Sequence, residues 1–208
     1  ESLVQHLEKM GVPKDKGGIL QINGSPTDAA AGLIRDGIDE GLDNSGYNTI
    51  AEYDTPDWAP PKAQTWMNGQ IARFGSDILG VVAANDGTGG GAIAALKAAG
   101  VDPLPPVTGN DATIAALQLI ISGDQFNTIS KPSEIVATAA ASIAVQMLNG
   151  ITPKAKTTLY NTPSELFVPD VVTRENIKEI VFDSGVTFAG DVCTGRYLAG
   201  CKELGIWR

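Results

Sequence analysis

The sequence contains few of the side chains on which most catalytic and metal sites depend. Among its 208 residues there is one histidine, His6, and there are two cysteines. A zinc site built from cysteine and histidine would therefore need carboxylates to complete it. The hydrolase pattern G-x-S-x-G and the metalloprotease pattern H-E-x-x-H are both absent. The sequence therefore gives little support for a catalytic site, although a hydrolase that uses carboxylates alone is conceivable, and we expect neither a metal ion nor a cofactor.

Long apolar runs and basic clusters are missing as well. No apolar run reaches the roughly 18 residues that a membrane-spanning helix needs. No basic segment followed by an apolar stretch marks a signal peptide, and we expect that one has been removed, as happens in mature secreted proteins. Lys and Arg number 15 against 24 Asp and Glu, which gives a formal net charge of -9. This field repels phosphate backbones, so nucleic acid is not an expected partner.

The two cysteines, Cys193 and Cys201, lie close together near the C-terminus. A local disulfide between them would indicate an oxidising compartment. The alternative is a pair of free thiols in a cytosolic protein. We favour the disulfide because cysteine is scarce and the spacing is short.

Strand-like and helix-like segments alternate along the chain as far as Gly150. Short apolar or alternating runs, typical of strands, are followed by runs with apolar residues three or four positions apart, typical of helices. The predicted strands are residues 18–23, 47–53, 78–84, 104–108 and 127–130, and the predicted helices are residues 27–42, 60–74, 92–99, 112–122 and 132–148. This alternation predicts an α/β fold, a parallel sheet with helices on both faces in a three-layer sandwich.

Polar side chains and one tryptophan follow the predicted strands, at the edge where parallel α/β sheets bind their ligands. An Asn-Asp pair occurs there twice, as Asn85-Asp86 and as Asn110-Asp111. Asp accepts hydrogen bonds and Asn both donates and accepts them, which suits the adjacent hydroxyls of a sugar. The candidate ligand-binding residues are Asn23, Trp58, Asn85, Asp86, Asp111 and Lys131.

Each of these residues also has a purely structural interpretation. Asn and Asp at the start of a helix commonly cap it, and a tryptophan in a loop is often simply buried. We favour ligand contact for Asp111 and Asn85, because capping does not require an amide and a carboxylate together twice. Trp58 lies in the proline-rich loop 55–61. We expect its ring to lie flat against the apolar face of a sugar.

The segment 87–92 offers a different interpretation, because it has the spacing G-x-G-x-x-A of dinucleotide-binding loops. A nucleotide-binding enzyme is therefore one alternative. Against this alternative, the negative charge of Asp86 would repel a pyrophosphate. The segment also belongs to the third strand–helix unit, whereas such loops are expected in the first. We favour close packing of a helix against the sheet as the reason for these glycines.

The strand-end residues fall within stretches that resemble the periplasmic pentose- and hexose-binding proteins of bacterial ABC transporters. The order and spacing of these stretches carry the resemblance, which extends to about Gly185. The stretches are residues 24–28, 57–58, 84–86, 90–93, 109–112, 131–132, 149–150 and 153–155.

The resemblance implies one lobe of a type I periplasmic-binding-protein fold, in which two α/β lobes enclose a sugar without catalysis. It implies that Trp58 stacks on the sugar while Asn85, Asp111 and Lys131 bind its hydroxyls. The chain corresponds to the C-terminal lobe. We therefore expect residues 1–160 to form this lobe, and residues 161–208 to be a crossover segment and tail that pack on a missing N-terminal lobe.

The implied function is that of an extracytoplasmic solute-binding subunit with a monosaccharide, the N-terminal lobe and a membrane permease as partners. Ala29 and Ala30 stand where xylose-binding members carry two asparagines, one of which is expected to contact the sugar. This departure argues against xylose, while the resemblance as a whole implies a monosaccharide that is a pentose such as xylose, or a hexose. The expected compartment is periplasmic or extracellular, and the tail is similar to those of secreted sugar-binding lipoproteins, which could be anchored to the membrane. A second alternative is the sugar-sensing domain of a LacI-type regulator, against which a disulfide would argue.

Overall fold

The computed structural model describes residues 1–131 and 133–208, and it is built around a parallel sheet. The strands β1 (Gly18–Asn23), β2 (Asn48–Asp54) and β3 (Ile78–Ala83) lie in the order β2-β1-β3. Ile22 of β1 lies opposite Tyr53 of β2 and Ala83 of β3. Every residue of β1 is buried, as expected for a central strand that is covered on both faces.

The sheet continues beyond β3 through a short segment around Val107. The predicted strand 104–108 forms only a single parallel bridge there, between Val81 and Val107. Prolines at positions 103, 105 and 106 provide no N–H groups, so a longer ladder cannot form. The strand β4 (Asn127–Ser130) comes next, because the N–H of Phe126 donates to the carbonyl of Val107 at 3.0 Å.

The last strand of this row runs in the opposite direction to the others. It is β7 (Asp170–Thr173), which pairs with β4 so that Val172 lies opposite Thr128. The strands of this row are therefore parallel as far as β4, and the row ends with one antiparallel strand, β7.

Helices cover both faces of the sheet, as the alternation predicted. The helices α1 (Ser2–Lys9) and α2 (Ala29–Asp43) lie on one face, and α3 (Pro60–Phe74) and α4 (Asp86–Ala98) lie on the other. The first face buries Leu3, Leu7, Ile19, Leu42 and Tyr47, and the second buries Leu20, Ile22, Met67, Val81 and Ile93. Successive residues of β1 thus enter different cores, as the two-residue period of a strand requires.

Helix α4 begins earlier than predicted, at Asp86 rather than at residue 92. The side chain of Asn85 accepts a hydrogen bond from the N–H of Thr88 at 2.9 Å, and Thr88 accepts one from the N–H of Asn85 at 3.4 Å. This capping box starts the helix within the glycine-rich segment. A Cβ at Gly89 would stand 2.7 Å from the carbonyl of Thr108, and one at Gly91 would stand 2.5 Å from the carbonyl of Pro60. These glycines therefore allow α4 to pack closely on its neighbours.

The residues from β7 onward pack against helix α5 (Ile114–Ser122) of the same lobe. This segment contains a π-helical turn (Lys178–Asp183) and the helices α7 (Ala189–Val192) and α8 (Leu198–Glu203). The shared core consists of Leu117, Ile120, Ile121, Val172, Ile177, Val181 and Val192. The boundary at residue 160 remains a prediction. The packing of residues 161–208 on a missing N-terminal lobe also remains a prediction, and Val172 and the residues after it contribute in addition to this core.

The segment between β4 and β7 has a different character. The predicted start of its helix at residue 132 lies outside the described residues, and helix α6 extends over Ser133–Leu148. A hairpin of β5 (Thr157–Leu159) and β6 (Thr162–Ser164) follows. None of the described residues of α6 is buried. Large apolar side chains are exposed along the segment: Ile135, Val145, Met147, Leu148, Tyr160, Leu166 and Val168.

The predicted disulfide between Cys193 and Cys201 is confirmed, with the two Cα atoms 5.8 Å apart. The bond connects the end of α7 to α8, and Cys201 is fully buried against α5. The alternative of two free thiols is therefore wrong.

Candidate functional site

The loops that follow the strands form one row along the carboxyl edge of the sheet. The strand order places the loop after β2 at one end, then those after β1, β3 and Val107, and finally the end of β4. Backbone hydrogen bonds join neighbouring loops. The N–H of Thr55 donates to the carbonyl of Gly24 at 3.0 Å, and the N–H of Asp86 donates to the carbonyl of Asn110 at 2.9 Å. The row therefore brings Trp58, Asn85, Asp111 and Lys131 to one edge in this order.

Trp58 stands at the β2 end of the row and is half-buried. Its indole lies over Gly24, where a Cβ would overlap the six-membered ring. Its Nε1–H donates to Oδ2 of Asp28 at 3.1 Å. Asp57 and Trp58 both have positive φ, at 59° and 55°, which is uncommon for residues other than glycine. The loop therefore holds the tryptophan by backbone strain and by contacts to the β1 loop.

Asn85 caps helix α4 and also has a polar atom that is available to a ligand, so its capping role and its predicted ligand contact are compatible. Its Oδ1 is occupied by the N–H of Thr88 in the capping box. Among the described residues its Nδ2 makes no hydrogen bond, so this group can donate to a ligand. Capping also orients the amide, because the cap fixes one of its two polar atoms.

Asp111 and Lys131 form an ion pair across the end of the row, with Oδ1 and Nζ 2.6 Å apart. Both side chains are exposed, at 40% and 56% respectively. An exposed pair of this kind contributes little to stability, so it can exchange partners with a ligand at low cost. Asp111 has a φ of 112°, and its N–H donates to the carbonyl of Ile129 at 3.0 Å. The backbone thus sustains an uncommon conformation that presents this carboxylate at the edge.

Asp86 was predicted to bind ligand, and in the structure its side chain is engaged inside the protein. The side chain is 5% exposed and points into the protein. Its oxygens accept from the N–H of Thr113 at 2.8 Å, from Oγ1 of Thr128 at 2.6 Å and from Nε2 of Gln125 at 3.3 Å. Burial raises the pKa of this carboxyl above its ordinary value, although the hydrogen bonds oppose the shift. Asp86 therefore joins α4 to α5 and β4, and its contact with a ligand stays a prediction.

Asn23 was also predicted to bind ligand, and its side chain is likewise committed inside the protein. It is 2% exposed. Its Nδ2 donates to Oε1 of Glu52 at 2.6 Å and to Oδ1 of Asp54 at 3.1 Å, and its Oδ1 accepts from Gln21 at 3.1 Å. Arg35 completes this network with Nη2 2.5 Å from Glu52. The amide links β1 to β2, both hydrogens of its Nδ2 are used within the protein, and its contact with a ligand stays a prediction.

Cavities open along this edge among the described residues. One of about 340 Å³ lies between the β1–α2 loop and α2, and its polar lining includes Ser25, Thr27, Asp28 and Arg35. Another, of about 310 Å³, is mainly apolar and reaches Asn110 and Lys131 at the strand ends. Among the described residues no group of three or more His, Cys, Asp or Glu side chains could hold a metal ion. No helix in residues 1–131 and 133–208 is long and apolar enough to cross a membrane.

Two residues of this edge were not among the candidates. Asn110 donates from Nδ2 to the carbonyl of Ala84 at 3.3 Å, and its buried Oδ1 has no partner among the described residues. Its position in the second Asn-Asp pair was the signal that could have identified it. Asp28 accepts from Trp58, but the sequence marks it only as a helix cap. No local pattern connects it to a tryptophan in the next loop of the row.

Comparison with known proteins gives a consistent result. A family model described as a periplasmic binding protein domain matches residues 1–152. The D-xylose-binding periplasmic protein of Escherichia coli is 36% identical over 178 residues, which cover 82% of this chain and 54% of that protein. The multiple sugar-binding periplasmic receptor ChvE of Rhizobium radiobacter is 28% identical over 203 residues, covering 86% of this chain and 57% of that protein. The chain therefore spans about half the length of the curated relatives it matches.

Solved structures share the fold. An ABC transporter solute-binding protein from Clostridium phytofermentans, crystallised with bound β-D-glucose, superposes with a TM-score of 0.74 at 26% identity, covering 92% of this chain and 66% of that chain. A periplasmic ribose ABC transporter protein from Conexibacter woesei has a TM-score of 0.73 at 18% identity and covers 92% of this chain and 60% of that one. At the lower identity the likeness concerns the fold alone.

Proposed function

The chain belongs to the periplasmic binding protein family, and we propose that it is the C-terminal sugar-binding lobe of an extracytoplasmic solute-binding subunit of an ABC transporter. The observation that carries this proposal is the row of strand-end residues. It presents the Nδ2 of Asn85 and the exposed ion pair of Asp111 and Lys131, and a fixed indole stands at one end. This set can hydrogen-bond hydroxyls and cover an apolar ring face, which together describe a monosaccharide.

In this proposal each of the four edge residues makes a different contact with the sugar. Trp58 covers one face of the sugar ring. The Nδ2 of Asn85 donates to a hydroxyl, Asp111 accepts from one or two hydroxyls, and Lys131 donates. Because Asp111 and Lys131 already face each other at 2.6 Å, a hydroxyl that bridges them gains both a donor and an acceptor. A pentose such as xylose or a hexose carries hydroxyls suited to such bridging.

We further propose that a second lobe completes the site. The chain spans about half the length of its curated relatives, and the row leaves a bound sugar open to solvent on one side. The apolar side chains exposed on α6 and on the stretch up to β7 favour a covering lobe there, because contiguous apolar patches on soluble proteins commonly mark interfaces. Capture would then follow from closure of the two lobes around the sugar, and the closed form would be presented to a membrane permease.

The disulfide supports a periplasmic or extracellular location for this chain, because disulfides persist in oxidising compartments. It argues against the LacI-type sugar sensor, which would work in the cytosol. The relatives are periplasmic proteins by name. Anchoring of the chain to a membrane as a lipoprotein is compatible with this location and is part of the proposal.

The proposal is tested by isothermal titration calorimetry of the full-length protein with D-xylose, D-ribose, D-glucose and D-galactose. We expect at least one sugar to bind, and we expect Asp111→Ala and Trp58→Ala each to abolish detectable binding. Asp15→Ala is the matched control, because Asp15 is an exposed carboxylate in the turn before β1 and should leave affinity unchanged. Unchanged affinity in both edge variants would refute the assigned site. Binding of NAD without binding of any sugar would favour the nucleotide-binding alternative instead.

A further inference from the structure

We propose that Asp28 is a positioning residue that fixes the plane of the Trp58 indole, and so sets how the sugar ring can lie. This inference rests on the proposed function. The geometry that carries it is the division of the Asp28 carboxylate between two donors. Its Oδ1 accepts from the N–H of Ala30 at 2.9 Å, and its Oδ2 accepts from Nε1 of Trp58 at 3.1 Å.

The first of these hydrogen bonds anchors the carboxylate. Asp28 is the N-cap of α2, with an extended backbone at φ -104° and ψ 119°. A capping carboxylate at this position is held by the helix start and interacts favourably with the helix dipole. Oδ2 therefore has a fixed position, and the bond to Trp58 transmits that position to the indole.

The second constraint on the ring comes from Gly24. A Cβ at this position would overlap Cη2, Cζ2 and Cζ3 of Trp58, so the ring lies directly on the backbone of the β1 loop. The contact with Gly24 on one face and the hydrogen bond to Asp28 at the edge together restrict both the tilt of the indole ring and its rotation within its own plane. The opposite face of the ring is the one left to cover a ligand.

The loop that carries Trp58 is itself tied to the β1 loop. The N–H of Asp57 donates to Oγ of Ser25 at 3.3 Å, and the carboxylate of Asp57 pairs with Lys62 at 2.8 Å. The positive φ angles of Asp57 and Trp58 are thus supported on both sides of the turn. The backbone brings the indole to Gly24, and Asp28 supplies the directional contact.

The chemistry requires a side chain with two acceptors at position 28. Asparagine can cap α2 with its oxygen, but its amide nitrogen cannot accept from the indole N–H. Serine also caps helices well but is too short to reach both donors. Asp28→Ser therefore keeps the cap and removes the contact to Trp58, Asp28→Asn keeps only one of the two hydrogen bonds and is expected to keep the cap, and Asp28→Ala removes both.

A double-mutant cycle on the full-length protein separates positioning from capping. Calorimetry with the sugar that binds wild type most tightly measures the affinity in each background. We expect Asp28→Asn to raise Kd about 3- to 10-fold, the contribution of one hydrogen bond. Trp58→Phe keeps an aromatic face but lacks the donor, so adding Asp28→Asn to it should change Kd by less than about 2-fold. Equal effects of Asp28→Asn in both backgrounds would overturn the proposal.

A second measurement needs no ligand and therefore remains decisive if no sugar binds. In the ¹⁵N–¹H spectrum the indole signal of Trp58 is assigned by its loss in Trp58→Phe. We expect Asp28→Asn and Asp28→Ser to shift this signal and to speed its exchange with solvent, while the indole signals of Trp66 and Trp207 stay in place. An unmoved Trp58 signal would overturn the positioning role. Failure of every sugar in calorimetry together with a shifted signal would count against the proposed function alone.

Discussion

Replacing Asp86 by asparagine is expected to destabilise the lobe, although the shape of the side chain is kept. The carboxylate accepts from the N–H and Oγ1 of Thr113 at 2.8 and 3.0 Å through Oδ2, and from Thr128 at 2.6 Å and Gln125 at 3.3 Å through Oδ1. These donors belong to the start of α5 and to β4 and the loop before it. An amide has one acceptor oxygen, so one pair of donors would face an NH₂ group whichever way the amide is turned.

The magnitude follows from this arrangement. Hydrogen bonds to charged groups contribute about 1.5–3 kcal/mol each, and a buried donor left without a partner costs about 1–3 kcal/mol. Asparagine retains one side of the network and relieves the cost of the buried charge, so the losses do not add in full. We expect the free energy of unfolding to fall by about 2–4 kcal/mol.

The assay is urea unfolding at pH 7, followed by far-ultraviolet circular dichroism. Asp111→Asn is the matched control, because it makes the same chemical change in an exposed ion pair and should cost less than about 1 kcal/mol. A loss below about 0.5 kcal/mol for Asp86→Asn would refute the reasoning, as would equal losses in the two variants, because the inward network would then contribute nothing beyond a surface contact.

Two further predictions concern pH and the disulfide. Because burial raises the pKa of Asp86 above its ordinary value of 3.8, the folded state binds this proton more tightly than the unfolded chain does. The contribution of Asp86 to stability is thus full below pH 3.8 and is lost as the pH rises through the raised pKa. The difference in stability between wild type and Asp86→Asn should therefore grow as the pH falls toward 3.8. Urea unfolding at several pH values measures this difference. A difference that shrinks on acidification would contradict this sign. Joint replacement of Cys193 and Cys201 by serine should lower the free energy of unfolding by about 2–3 kcal/mol, since the bond closes a short loop. If reductant leaves the urea midpoint of the wild type unchanged, this predicted contribution of the disulfide is contradicted.

Much of the first half of the fold could be predicted because its signals are local. Helix α3 occupies the predicted residues 60–74, since prolines at its first turn fit a helix start and Gly75 ends it with a positive φ of 51°. The predicted start of α4 at residue 92 was wrong because the glycines before it have a low helix propensity and so did not indicate a helix. The spacing of Asn85 and Thr88 indicates a capping box and could have corrected the boundary. At residues 103–106 the prolines indicated that a strand there would be interrupted, and a single bridge remains.

The candidate site was harder to predict, because the direction of a polar side chain depends on residues far away in the sequence. Asp86 turns inward to Thr113, Gln125 and Thr128, and Asn23 turns to Glu52 and Asp54. None of these partners is marked by spacing. The strand-end rule predicts a binding edge but does not distinguish the side chains that build this edge from those that are exposed on it.

That distinction changes how mutations at this edge should be understood. Asn23 and Asp86 are buried and join strands and helices under the strand-end loops, while Asp111 and Lys131 are exposed charges at the surface of these loops. The positive φ of Asp111 is sustained because its N–H bonds to Ile129 of β4, and β4 is held in turn to α4 through Asp86 and Thr128. A change at Asp86 is therefore expected to weaken the proposed sugar contact of Asp111, because it would loosen the backbone that presents this carboxylate. Loss of binding alone cannot separate these roles, whereas loss of stability can, because only the inward residues contribute substantially to folding.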